Sequence, residues 1–268
     1  MQVLFVVIDI SYAAFQVVLV ERFIAQDSIV IVIGLGKYSN NLIVITAFLA
    51  LYSLTFIVID FNFLYRFWAV KAPYRLSLFT KKWFIVMVVM AVIVEYFFWF
   101  HVAYTYFSAT DHGRLKIRNV TFEKFGIDTL TQEMIMGDFF NEDGSRNWHP
   151  AVAVITFCNV LAFCFGFMIY ASVTIINFLR NAKLVSNAAL SMQRQLFVTL
   201  SAQTLIPFVL LYSPCGINIV FPFFGWDAEL VADLSPLSLS LFLPLDAIAV
   251  LYLMNDYRKT VLHYLSCG

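Results

Sequence analysis

Long uninterrupted runs of apolar residues constrain this chain more than any other feature of its sequence. Six runs can cross a bilayer, because about 20 apolar residues span ~30 Å of hydrocarbon; they cover about residues 3–20, 41–64, 83–107, 151–179, 196–223 and 234–254. Charged residues make up only 13% of the chain, about half the share usual in soluble proteins. The runs are continuous and do not alternate, so the sequence predicts an all-α, polytopic transmembrane helical bundle forming a single domain.

A shorter apolar stretch, residues 28–36, is only about half as long as a membrane span. It is followed at once by the polar residues 37–41. We expect this stretch to be a loop that packs against the bundle or lies at the membrane interface.

Basic residues indicate how the chain is oriented in the membrane. They concentrate between the second and third runs, between the fourth and fifth runs, and in the tail 255–268. Cytoplasmic segments carry an excess of Lys and Arg, which places these three segments in the cytoplasm. The long segment 108–149 is then extracellular, and its Asn119-Val120-Thr121 sequon predicts glycosylation of Asn119.

The usual signatures of catalysis are missing from the sequence. It contains no Gly-rich phosphate loop, no HExxH or GxSxG motif and no cluster of His, Cys, Asp and Glu with metal-ligand spacing. The net charge is zero and the charges lie in a few segments, which argues against a nucleic-acid partner. We therefore predict neither enzymatic activity nor a cofactor or metal.

Three segments carry a family resemblance. The first is residues 63–70, Phe-Leu-Tyr-Arg-Phe-Trp-Ala-Val; the second is residues 190–197, Leu-Ser-Met-Gln-Arg-Gln-Leu-Phe, continued by 203–207; the third is Pro-Leu-Asp at 244–246 followed by Asp-Tyr-Arg-Lys at 256–259. In this order and spacing they resemble the nematode seven-transmembrane G-protein-coupled chemoreceptors of the Str/Srj group (serpentine receptor class r-like). Since residues 5–21 resemble the second helix of that family, we expect six spans here and no first helix.

The resemblance implies an olfactory-type receptor in the plasma membrane of chemosensory neurons or their cilia. Such a receptor detects a small external chemical and signals to a heterotrimeric G protein. The residues that the resemblance assigns to coupling or switching are Tyr65, Arg66, Arg194, Asp246, Tyr257 and Arg258. Physical reasoning leaves alternatives open: Arg66 as a snorkelling anchor among the lipid headgroups, and Asp246 in a structural polar network with Asp9.

Polar and aromatic side chains near the predicted outer side form the candidate ligand site. These are Glu95, Trp99, His101, Tyr104, Asn159, Gln203 and Tyr212. An aromatic belt at the membrane interface is the alternative explanation for several of them. Otherwise they line a small, mostly apolar pocket of the kind that holds an odorant-sized molecule.

Two other function classes compete with the receptor. A small-solute transporter usually has internal repeats and helices broken near the midplane in matching halves, and the sequence has neither. An intramembrane enzyme needs paired catalytic groups at helical spacing, which are not apparent. The expected partners are membrane lipid, a small chemical ligand and a G protein.

Overall fold

The computed structural model describes residues 2–37, 40–181 and 187–253. The helices of its bundle are α1 (Gln2–Leu19), α2 (Leu42–Lys71), α3 (Lys82–Tyr106), α5 (Trp148–Asn181), α6 (Asn187–Pro207), α7 (Ser213–Phe224) and α8 (Glu229–Leu253). A further helix, α4 (Asp111–Phe125), lies in the segment between α3 and α5. The predicted all-α helical bundle is confirmed.

Five stretches of the described residues are helical, long and apolar enough to cross a membrane. They are Leu42–Lys71, Lys82–Tyr106, Trp148–Asn181, Ser191–Phe224 and Glu229–Leu253. The remaining predicted span, about residues 3–20, coincides with the 18-residue helix α1. The crossing of the bilayer by α1 stays a prediction.

Helix α2 is the central helix of the bundle, and it packs against α1, α3, α5 and α6. Asn41 caps its start by accepting hydrogen bonds from the backbone N–H groups of Ile43 (2.9 Å) and Val44 (3.3 Å). The helix runs past the predicted boundary at residue 64 to Lys71, where a 3₁₀ helix, Pro73–Thr80, leads to α3. Residues 65–71, which were expected to follow the membrane span as a loop, are therefore the last two turns of α2.

The expectation of a loop at residues 28–36 was wrong, because most of this stretch is a β-strand. Strand β1 (Glu21–Gln26), strand β2 (Ile29–Gly34) and strand β3 (Ile135–Asp138) form an antiparallel sheet in the order β1-β2-β3. Asp27 and Ser28 connect β1 to β2 with φ angles of 50° and 66°. Positive φ at both positions is the type I′ geometry that suits a two-residue hairpin.

The sheet lies between the helical bundle and helix α4. On one face, Phe23, Val30, Val32 and Ile135 join the main core of the bundle. On the other face a second core consists of Ile24, Ile29, Ile31, Ile33, Ile117, Met134 and Met136. Strand β2 is buried along its whole length because both of its faces are covered. We call the sheet together with α4 the lid.

The predicted extracellular segment 108–149 is ordered by packing. Thr110 caps α4 by accepting a hydrogen bond from Gly113 N at 3.0 Å, and Gly126 ends the helix in the left-handed conformation with a φ of 70°. The predicted glycosylation residue, Asn119, is exposed on this helix. The hydroxyl of Thr121 is buried and donates to the carbonyl oxygen of Ile117 at 2.9 Å.

Candidate functional site

An apolar cavity of about 80 Å³ lies inside the bundle, below the lid. Helices α2, α3, α5 and α7 contribute its walls, and Phe107 at the end of α3 completes them. The lining consists of Leu49, Tyr52, Ser53, Phe56, Trp99, Val102, Ala103, Phe107, Ala153, Phe157, Val160, Leu161, Cys215 and Ile219. At roughly 10–15 Å³ for each water, this volume suits a small molecule.

The oxygen and nitrogen donors among the lining side chains are already used within the protein. The Tyr52 hydroxyl donates to the carbonyl oxygen of Leu211 at 2.6 Å, and the Ser53 hydroxyl donates to that of Ala50 at 2.7 Å. The indole N–H of Trp99 donates to Oε1 of Glu95 at 2.7 Å. The surface presented to the cavity is therefore almost purely hydrocarbon.

A break in one long helix lies beside this cavity. Helix α6 ends at Pro207, a π-helical segment follows at Phe208–Tyr212, and α7 begins at Ser213. Pro214 has no N–H to donate to the carbonyl oxygen of Leu210, as an α-helix would require. That oxygen instead accepts a hydrogen bond from the Ser238 hydroxyl on α8.

The π-helical segment is joined to the cavity wall through Tyr212. Its ring stacks on that of Phe56 with centroids 3.6 Å apart, and its hydroxyl shares a hydrogen bond of 2.5 Å with Thr55 Oγ1. Phe56 lines the cavity, and Tyr52 on the same helix holds the carbonyl oxygen of Leu211. π-Helical insertions are frequent at functional sites, and this one is held by side chains from both α2 and α8.

The structure brings only some of the predicted ligand residues to this cavity. Trp99 lines it, Glu95 accepts the hydrogen bond from Trp99, and Tyr212 lies behind Phe56. The other predicted residues are placed away from the lining: His101, Tyr104 and Asn159 are exposed, and Gln203 is half-buried on α6. The roles of these seven residues stay predictions.

The predicted coupling residues lie at the end of the bundle opposite the lid, as far as they are described. Tyr65 packs edge-to-face on Phe79 of the 3₁₀ helix at 5.1 Å, and the guanidinium of half-buried Arg66 lies 5.4 Å from the Tyr65 ring centroid. Arg194 is exposed on α6, and Asp246 on α8 is only 4% exposed. Tyr257, Arg258 and the side chain of Asp9 lie outside the described residues.

Two acidic residues of the membrane helices, Asp60 and Glu95, lie half-buried on neighbouring helices α2 and α3. The Cys164 thiol on α5 is within hydrogen-bond reach of Asp60. Over residues 2–37, 40–181 and 187–253, no group of three or more His, Cys, Asp or Glu side chains is arranged to hold a metal ion.

Sequence reasoning missed the contribution of α2 to the site. Tyr52, Ser53 and Thr55 are hydroxyl residues inside an otherwise apolar run, which was the available signal. Hydroxyls in a membrane helix find carbonyl partners either in their own helix or in a neighbour, and the sequence does not distinguish the two. Tyr52 and Thr55 reach the broken helix, whereas Ser53 bonds within α2.

Comparison with known proteins assigns the chain to a family. Residues 1–262 match the family model described as "Serpentine type 7TM GPCR chemoreceptor Str". The chain is 26% identical over 223 residues to "Serpentine receptor class r-10" of Caenorhabditis elegans, covering 82% of this chain and 65% of that protein. It is 25% identical over 235 residues to "Serpentine receptor class r-10" of Caenorhabditis briggsae, covering 80% of this chain and 64% of that protein.

The chain thus spans slightly less than two thirds of the length of these two curated relatives. No solved structure matches it. The family match covers nearly the whole chain, in agreement with the apolar helices of the structure. The protein is a multi-pass membrane protein that belongs to the Str family of serpentine, seven-transmembrane G-protein-coupled chemoreceptors.

Proposed function

We propose that this protein is a chemosensory receptor of the plasma membrane that binds a small external chemical in the apolar cavity and signals to a heterotrimeric G protein. The observation that carries the proposal is the stack of Tyr212 on Phe56. Phe56 faces the cavity, and Tyr212 belongs to the π-helical break. A ligand that moves Phe56 therefore acts on the break.

The mechanism needs a ligand that binds two arrangements of the helices with different affinity. In one arrangement the break is held by Tyr52 from α2 and Ser238 from α8. In the other, those hydroxyls and the Tyr212 ring take new partners and α6 changes its tilt. Helix α6 runs from the break to the end that carries Arg194, so a small change at the cavity is amplified there.

The end opposite the lid has the composition that a G-protein interface requires. It carries exposed Arg194 on α6, half-buried Arg66 on α2 and the basic 3₁₀ connection after Lys71. The same basic residues predict that this end faces the cytoplasm. Family membership supports G-protein coupling, and it also supports a location in chemosensory neurons or their cilia.

The test is ligand-dependent nucleotide exchange on a G protein, measured with receptor-containing vesicles and a panel of small volatile chemicals. Arg66→Ala is expected to lower the exchange rate at least tenfold while leaving ligand affinity unchanged, because Arg66 is at the opposite end from the cavity. Lys116→Ala removes an exposed positive charge on α4, at the lid end of the bundle, and serves as the control.

Two outcomes would contradict the proposal. If Arg66→Ala reduces ligand binding and exchange equally, with normal surface expression, Arg66 is a structural anchor. If vesicles without G protein accumulate the chemical against its gradient, the protein is a transporter.

A further inference from the structure

We infer that the cavity takes an uncharged hydrocarbon-like molecule, and that this molecule enters from the bilayer between α3 and α5 and not through the lid. The inference deepens the proposed function by naming the ligand class and its route. It rests on that function only for the consequence of binding, since binding and entry are measured without a G protein.

The first step is the chemistry of the cavity wall. The side chains of Tyr52, Ser53 and Trp99 each donate a hydrogen bond to another group of the protein. A ligand with an ammonium or carboxylate group would lose its hydration and find no partner of opposite charge among the lining residues. An apolar ligand loses nothing in this way and gains contacts with the lining rings.

The second step is that the lid closes the cavity from above. Phe107 lines the cavity, and strand β3 lies directly against the Phe107 ring. A Cβ atom placed on Gly137 would be 2.8 Å from the Phe107 ring, so only glycine allows the strand to come this close. Met136 N also donates to the carbonyl oxygen of Phe107 at 3.1 Å.

The third step is that polar contacts hold the lid, and the loop between β3 and α5, against α7 and α8. Arg146 lies 4.5 Å from the ring centroid of Phe223 and donates to the carbonyl oxygen of that residue at 2.6 Å. Lys124 on α4 pairs with Glu229 at 2.7 Å and with Asp233 at 3.2 Å. Entry through the lid requires several of these interactions to break together.

The fourth step is that the side between α3 and α5 has no such fastening. Two ring contacts join these helices: Trp99 with Phe157 at 6.0 Å, and Tyr106 with His149 at 5.1 Å. Among their described residues, no hydrogen bond or ion pair links α3 to α5. Trp99 and Phe157 both line the cavity. Rotation of these two rings therefore opens it toward the lipid, where an apolar molecule is already concentrated.

The ligand class is tested by equilibrium binding to receptor in lipid nanodiscs, with empty nanodiscs as the blank. The probes are ethylbenzene and benzylamine, which have the same size and differ in charge at neutral pH. We expect saturable binding of ethylbenzene and at least tenfold weaker binding of benzylamine. Tighter binding of benzylamine, or binding of neither probe, would overturn the inference.

Variants locate the site. Ala153→Leu fills the cavity and should weaken ethylbenzene binding at least tenfold, whereas Val152→Leu, on the exposed side of the same helix, should leave it unchanged. If Ala153→Leu fails to fold, Ala103→Val fills the same space from α3. Unchanged binding in a folded cavity-filling variant would show that the probe binds elsewhere.

The route is tested by locking the lid. Lys124→Cys with Asp233→Cys, in a background with Cys158→Ser and Cys267→Ser, is bridged with a short bis-maleimide. We expect the association rate of ethylbenzene, followed by stopped-flow tryptophan fluorescence, to change less than twofold on bridging. A tenfold slowing would place the entrance at the lid. If G-protein activation fails while these binding results hold, the proposed function is wrong and the ligand class stands.

Discussion

Ser238 on α8 donates a hydrogen bond of 2.5 Å to the carbonyl oxygen of Leu210, in the π-helical segment between α6 and α7. That oxygen has lost its α-helical donor because residue 214 is proline. Tyr52 makes the corresponding contact from α2 to the carbonyl oxygen of Leu211. The break is thus a defined junction in which two neighbouring helices satisfy backbone groups of a third.

Removing the Ser238 hydroxyl should weaken this junction. Ser238→Ala removes the hydroxyl donor to a half-buried carbonyl, which costs about 1 kcal/mol and should lower the Tm by roughly 3 °C. The measurement is thermal unfolding of the purified receptor in detergent. Ser201→Ala is the matched control, because the Ser201 hydroxyl donates to the carbonyl oxygen of Phe197 in its own helix at 2.9 Å. An equal decrease in Tm in both variants would show that the Ser238 bond to the junction contributes no more than a hydroxyl bond within a helix.

Gly137→Ala should loosen the lid. The added Cβ lies 2.8 Å from the Phe107 ring, so either the ring or strand β3 has to move. We expect amide hydrogen exchange in β2 and β3 to accelerate at least tenfold while exchange in α2 is unchanged. Gly166→Ala on α5 is the control, since its Cβ meets nothing within 4 Å and alanine favours a helix by about 1 kcal/mol. Unchanged exchange in β2 of Gly137→Ala would contradict the close packing.

Glu21 makes the lid sensitive to pH. Its side chain is 2% exposed, Oε1 accepts from Gln16 at 3.1 Å, and within the described residues Oε2 has no hydrogen-bond partner. Burial raises the pKa of Glu21 above its ordinary value of 4.5. The folded state therefore holds its proton more tightly than the unfolded state, and stability is lost as the pH rises from 4.5 through the raised pKa.

Glu21→Gln should remove this loss of stability at higher pH. The variant and the parent are expected to unfold at the same temperature at pH 4, whereas at pH 7.5 the variant should have the higher Tm. Thermal unfolding across this pH range measures the effect. Glu133→Gln, at an exposed site just before strand β3, should leave the profile of the parent unchanged. A higher Tm for Glu21→Gln at pH 4 as well would exclude titration of Glu21 as the cause.

The membrane helices were predictable from sequence because their length and apolar content exceed what a soluble helix needs. Strand β2 was not, because Ile29–Gly34 is apolar without alternation. A strand buried on both faces has no alternating pattern, and its second cover, α4, comes from a segment about 80 residues later in the chain.

The cavity was only partly predictable for a similar reason. Helix α3 is apolar on all sides, so the sequence does not indicate which of Trp99, His101 and Tyr104 faces inward. The structure turns Trp99 toward the cavity and leaves the other two exposed. Proline at positions 207 and 214 is a sequence signal for a kink, but the side chains that stabilise the break lie on other helices.

The orientation of the bundle is the remaining prediction, and α5 makes it testable. This helix has 34 residues, which at 1.5 Å each gives about 50 Å, more than the ~30 Å hydrocarbon core. It begins beside the lid and ends near Arg180, so exposed Asn119 on the lid and Arg180 should lie on opposite sides of the membrane. Basic residues near Arg180 place that end in the cytoplasm.

Cysteine substitutions at these two positions, each made separately in the same Cys158→Ser and Cys267→Ser background, distinguish the two orientations. An impermeant maleimide should label Asn119→Cys on intact cells and Arg180→Cys only after permeabilisation. Asn119→Gln should also abolish the mobility shift that glycosidase treatment produces in the parent. Labelling of Arg180→Cys on intact cells, together with protection of Asn119→Cys, would invert the bundle and place the lid in the cytoplasm.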